Sequence, residues 1–132
     1  MASREQIQMD FDRAARQADE LDNIASELSR ISDREIPDML NRLGSDWKGD
    51  NAGQYIQKGF VLTGQMQGTV ASIRQTASTI RAIARNIYNA EMEALRIAEE
   101  REAAERREAE RREAEERARA ARAGGGSGGG FR

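Results

Sequence analysis

Leu43-Gly44-Ser45-Asp46-Trp47-Lys48-Gly49-Asp50-Asn51-Ala52-Gly53-Gln54-Tyr55 decides how this chain folds, and it holds the only tryptophan among the 132 residues. Glycine, serine, asparagine and aspartate cluster here between two long runs of helical periodicity, the composition of a tight connection between helices. Gly49 supplies the backbone freedom that a sharp reversal needs. Trp47 is a bulky aromatic suited to cap the open end of a helical-hairpin core. Gly44 suits a helix-ending position, and Asp50 the N-cap of a second helix.

Upstream of this stretch, Ile7, Phe11, Ala14, Ala18, Leu21, Ala25 and Leu28 recur at alternating steps of four and three. That is the spacing of one helix face in a coiled-coil-like seam, which Ile24 and Ile31 widen. Pro37 interrupts the pattern before Met39, Leu40 and Leu43. Lacking a backbone donor and crowding the carbonyl of Asp33, it predicts a kink in a first helix over residues 5–43. Downstream, Leu62, Met66, Thr69, Ile73, Thr76, Ile80, Ile83, Ile87 and Ala90 repeat the alternation, with Val61, Val70, Ala77 and Ala84 as a neighbouring stripe. Two helices folded on each other would leave apolar surface exposed, and a dimeric four-helix bundle would cover it. Gly53, Gly59, Gly64 and Gly68 either permit close approach of another helix or mark a locally weak one.

Charge divides the chain further. Residues 1–50 hold twelve acidic and seven basic side chains, whereas residues 51–90 hold Lys58, Arg74, Arg81 and Arg85 and no acid, so the two halves are electrostatically complementary. Residues 99–123 are almost wholly Glu, Arg and Ala, with the near-repeat Ala104-Glu105-Arg106-Arg107-Glu108 and Ala109-Glu110-Arg111-Arg112-Glu113. The pairs Glu102–Arg106, Glu108–Arg112, Glu113–Arg117 and Glu115–Arg119 are each four apart in the favourable order. Without an apolar stripe this stretch reads as a solvated helix projecting about 50 Å beyond a pairing that runs out near Asn89. Its nine Glu against eight Arg leave no basic face for nucleic acid or a membrane surface. Residues 124–132 read as a flexible Gly-rich tail ending in Phe131 and Arg132.

Much chemistry is excluded by composition. With no cysteine and no histidine, disulfides, thiol nucleophiles, imidazole bases and zinc-finger sites are ruled out. The carboxylates near the turn, Asp38, Asp46 and Asp50, have a sufficient explanation as helix caps and solubilising groups. We therefore expect no enzyme, no catalytic residue, no cofactor and no metal. A net charge of -2 argues against a nucleic-acid partner. The polar start lacks the pattern of a secretory signal peptide, and no segment approaches a membrane span, so stable membrane insertion is not expected.

The Trp47-x-Gly49 turn, followed at helical spacing by Ala52 and Tyr55 and flanked by two seams, resembles the WXG family. These are small leaderless helical-hairpin proteins exported by bacterial type VII (ESX-like) secretion systems. The resemblance covers residues 1–98 and implies an all-α fold: an antiparallel two-helix hairpin with a Trp-x-Gly turn, dimerising to a four-helix bundle. Residues 99–123 would continue it as a charged helical extension. It also implies a secreted, non-enzymatic effector or secretion partner, made in the cytoplasm, that pairs with itself or a homologue and engages the secretion ATPase. Trp47, Gly49, Ala52 and Tyr55 would form the turn and export signal. The hairpin and dimer seams would comprise Ile7, Phe11, Leu21, Leu28, Leu62, Met66, Ile73, Ile80, Ile83 and Ile87. The family's second signal resembles Tyr-x-x-x-Asp/Glu on the carboxy-terminal helix. Here Tyr88 is followed four residues on by Met92, with Glu91 and Glu93 to either side. That makes a degenerate form of the signal, or one that a partner carries instead. Two alternatives stand beside export: a cytosolic targeting adaptor for a larger type VII toxin, and a purely structural coiled coil.

Overall fold

The computed structural model describes residues 2–128 and is all-α: outside residues 2–3 and 47–49, every described residue is helical. Helix α1 spans Arg4–Arg30, a π-helical turn comes next at Ile31–Glu35, and α2 spans Ile36–Asp46. Helix α3 then runs without a break over Asp50–Gly128. The expected Gly-rich tail is thus helical through Gly128, and residues 129–132 lie outside the described residues.

Helix α1 starts where Ser3, in extended backbone, accepts the Gln6 N–H through its hydroxyl at 3.1 Å, satisfying one of the donors that a helix start leaves unpaired. The two arms then run antiparallel. Leu40 lies against Gly59, Asp33 accepts from Gln67, Arg81 reaches Asp19 and Asp22, Phe11 meets Tyr88, and Arg4 meets Glu99. One partner number falls as the other rises, so a single register holds over the whole length. The pairing therefore extends to Glu99, ten residues past the expected limit at Asn89. One cause is that the first arm does not stop at Gly44. It continues to Asp46, and Gly44 is an ordinary helical residue facing Ile56.

Side-chain burial traces the seam. On the first arm Ile7, Ala18, Ala25 and Ser32 are buried, with Phe11, Ala14, Leu21 and Leu28 half-buried between them. On α3 the inward stripe is Ala52, Thr63, Val70, Ala77 and Ala84, joined by half-buried Ile56, Met66, Ile73, Ile80, Tyr88, Leu95 and Ala98. These positions keep the alternating three and four steps of coiled-coil-like packing. Of the stripe expected to be secondary, Val70, Ala77 and Ala84 are thus innermost, while Val61 is exposed. Leu62, Ile83 and Ile87 are exposed by 49, 52 and 52%. The innermost positions are small on both arms, Ala18, Ala25 and Ser32 on the first and Ala77 and Ala84 on α3, which lets the helices approach closely, while the bulkier Phe11 and Tyr88 meet beside them.

Just before Pro37, where a kink is expected, the helix widens into the π-turn. Ile36 donates its N–H to the Ile31 carbonyl, five residues back, and Pro37, which has no N–H to donate, follows directly as α-helical pairing resumes. The wider turn inserts one residue into the helical phase. As a result Ile36 and Leu40 face α3, whereas uninterrupted heptad spacing would present Glu35 and Met39, which are both exposed. Ser32 is buried in this turn and donates to the Ser29 carbonyl at 3.2 Å, so its hydroxyl does not go unpaired.

Candidate functional site: the Trp-x-Gly turn

Two aromatic clusters sit at opposite ends of the paired arms. At the turn, α2 ends with the Trp47 N–H donating to the Leu43 carbonyl at 2.8 Å, after which Trp47 adopts extended backbone with φ −117° and ψ 117°. Gly49 has φ +119°, a conformation that side-chain-bearing residues rarely adopt, and it is the only described residue with positive φ. Its carbonyl accepts the Gly53 N–H at 3.1 Å, so Gly49 occupies the capping position and Asp50 is the first helical residue rather than the N-cap. There the carboxylate still favours the positive end of the helix dipole. A Cβ at Gly49 would meet nothing within 4 Å, so the requirement for glycine is conformational, not steric.

This backbone lays the Trp47 indole over the Tyr55 ring, with centroids 5.8 Å apart and planes inclined by 23°. The stack is offered to solvent rather than sealed into the core: Trp47 is 43% and Tyr55 61% exposed. Lys58 places its ammonium 5.7 Å from the Tyr55 centroid, adding a cation to the platform. Ala52 is the member of the expected motif that is buried, closing the core beneath the turn. Trp47 therefore does not plug the hairpin; Ala52 does.

At the other end, Tyr88 packs on Phe11 with centroids 5.2 Å apart and rings tilted by 54°, and the Arg85 guanidinium lies 4.6 Å over the Phe11 ring. Tyr88, Phe11, Asp10 and Glu91 line a shallow apolar hollow of about 110 Å³ with Ile87 at its rim. Of the two acids beside the missing fourth position, Glu91 shares this hollow with Tyr88. Glu93 turns to Arg96, whose hydrogen bond and charge hold the Glu93 carboxyl below its usual range. Tyr55 and Tyr88 are separated by 33 helical residues, about 50 Å, so one chain does not bring the two expected signals together.

Sequence reasoning missed the polar cluster at the π-turn. The Asp33 carboxylate accepts from Gln67 at 2.8 Å, Ser29 at 2.9 Å and Ser32 at 3.2 Å, and these bonds, Gln67's foremost, hold its pKa below the ordinary carboxylate value. The signal that could have found it was Pro37, four residues on. The electrostatic complementarity of the two halves is realised in Arg81, which bridges Asp19 and Asp22 at 2.7 Å each. Among the described residues no group of three or more acidic side chains is gathered as a metal site, and no helix is long and apolar enough to cross a membrane. Comparison with family models, curated proteins and solved structures returned no match to this chain.

Proposed function

We propose that this chain is a non-enzymatic substrate or partner of a bacterial type VII (ESX-like) secretion system, acting through helical interfaces and leaving the cell by that route. The observation that carries the reading is the turn: a half-exposed indole, stacked on Tyr55 and set by a glycine at φ +119° between antiparallel arms. A tryptophan needed only for folding gains most when buried, whereas one read by another protein keeps an accessible face. The secretion ATPase is the proposed reader.

A second copy, or a homologue, is the proposed partner for the outer face of α3. Leu62, Ile83, Ile87 and Ile97 lie exposed there, next to Met66, Ile73 and Ile80, which are half-buried at the edge of the seam with the first arm. Pairing two such faces would give a four-helix bundle. Since Ile83 and Ile97 are 52 and 42% exposed, replacing both with Glu should halve the mass measured by light scattering while helical content persists. A wild-type chain that scatters as a monomer of 14.7 kDa would contradict the dimer.

Export is tested with Trp47→Ala in cells that secrete the wild type. The indole is only half covered, so the variant should remain helical and dimeric, with a loss of about 2 kcal/mol, below the range for a fully buried tryptophan. It should nevertheless stay in the cell pellet. Normal secretion of the folded variant would overturn the signal role of the turn.

A further inference from the structure

The repeat of α3 changes where its partner helix runs out. Up to Ala98 the inward positions keep the three-and-four alternation, and among the described residues the last ion pair across the arms is Arg4 with Glu99 at 2.8 Å. Beyond it the spacing becomes five: Ala104, Ala109 and Ala114 each open a block of Glu and Arg. Five residues turn an α-helix by about 500°, so successive alanines are displaced by about 140° and wind around the axis. No face gathers them, and every residue from Ala104 to Ala123 is exposed. A helix patterned this way offers no seam to another helix.

Its support lies along its own surface instead. Arg96 pairs with Glu93 and with Glu100, Arg112 with Glu108 at 3.0 Å, and Arg117 with Glu113 at 3.3 Å. In the latter two pairs the acid precedes the base by four residues, the stronger orientation. Alanine, glutamate and arginine are also the residues that lose least on entering a helix. Because the helix continues from the packed arms, it does not incur the cost of a separate nucleus.

We infer that residues 100–123 form a self-supporting strut, a single helix that stays straight without a partner and carries the chain beyond Ala123 about 36 Å away from the paired arms. A protein docked on the arms and a group attached past Ala123 would then be kept a fixed distance apart. This does not rest on the export reading; the strut would exist whether or not the chain is secreted.

The full-length chain tests it, since the absence of native cysteine allows clean spin labelling. Ala103→Cys with Ala121→Cys places two labels five full turns apart on one side, and Asn89→Cys with Ala121→Cys spans the boundary between arms and strut. In a large excess of unlabelled chain, double electron–electron resonance should give single narrow distances of about 27 Å and about 48 Å. A broad or shortened first distance would show that the strut does not hold itself straight. A narrow first distance with a broad second would place a hinge at the boundary, and either result overturns the inference. The singly labelled Ala121→Cys chain, undiluted, should show no distance in the range of side-by-side helices, whose axes lie about 10 Å apart. Such a distance would mean that two extensions pair, and that the strut depends on a partner after all.

Discussion

The two parts of α3 are continuous in backbone and differ in almost everything else. Residues 50–98 carry many weak helix formers, among them Gly53, Gly59, Gly64, Gly68 and Thr63, and are held by the first arm. Residues 100–123 carry no glycine and no bulky apolar side chain, and from Ala104 onward every one is exposed. The first part is helical because burying one face outweighs poor intrinsic propensity; the second because propensity and ion pairs suffice without burial. Helicity alone therefore says little about where this molecule stores its stability.

One substitution made in both regions should separate them most sharply. Ala77 is fully buried in the seam. Ala77→Asp should cost about 3 to 5 kcal/mol by burying an unpaired carboxylate, enough to abolish cooperative melting. Ala109→Asp, on the strut, should cost only about 0.5 kcal/mol, the difference in helix propensity. Similar effects at both sites in thermal melts would break the distinction.

The turn comes next in size. Gly49→Val forces a β-branched residue to φ +119°, which should cost about 1 to 3 kcal/mol and lower the melting temperature, although nothing obstructs the new side chain. It should disturb folding as well as export, unlike Trp47→Ala. Within the packed part, glycines should themselves divide. At Gly64 an added Cβ meets nothing within 4 Å, so Gly64→Ala should stabilise by about 1 kcal/mol. At Gly59 a Cβ would lie 2.6 Å from a Leu40 methyl, and the shift forced on Leu40 should offset that gain. Equal stabilisation by both would indicate that the arms are looser than the seam implies.

Acid should weaken the packed part through Asp33. Asp33 has a lowered pKa in the folded chain, so its contribution is complete above the unfolded carboxylate value, about 4, and is lost as pH falls through the folded one. Melting temperature should fall below about pH 4, and Asp33→Asn should flatten that dependence. The smallest effect belongs to truncation: ending the chain after Ala103 removes helix but no seam, so the cooperative transition should persist, shifted by less than about 0.5 kcal/mol. Loss of the transition would show that the extension packs on something.

The first arm was legible in the sequence because, apart from exposed Met9 and Ile24, its large apolar residues and its covered residues coincide from Ile7 to Leu28. On α3 they separate. Leu62, Ile83 and Ile87 are the more hydrophobic, yet the close partner positions went to Thr63, Val70, Ala77 and Ala84, since which positions approach closest depends on the arm they face and is not written in one helix alone. Pro37 announced a disturbance, but the π-turn that absorbs it depends on which residues it brings round to face α3. In the candidate site, the glycine at the reversal and the buried Ala52 accord with backbone need and spacing. The residues alone leave open whether Trp47 caps the core or keeps a face exposed, and its stack on Tyr55, eight residues later, is what they do not show.

Hydrogen exchange resolved by residue tests the division most directly. Amides of the facing arms, over residues 14–28 and 63–90, should open only with global unfolding and share one high protection, whereas those of residues 104–123 should exchange orders of magnitude faster, through local fraying of a solvated helix. Uniform protection along the whole of α3 would contradict the account, because it would require a covering surface over the extension that its five-residue pattern does not offer.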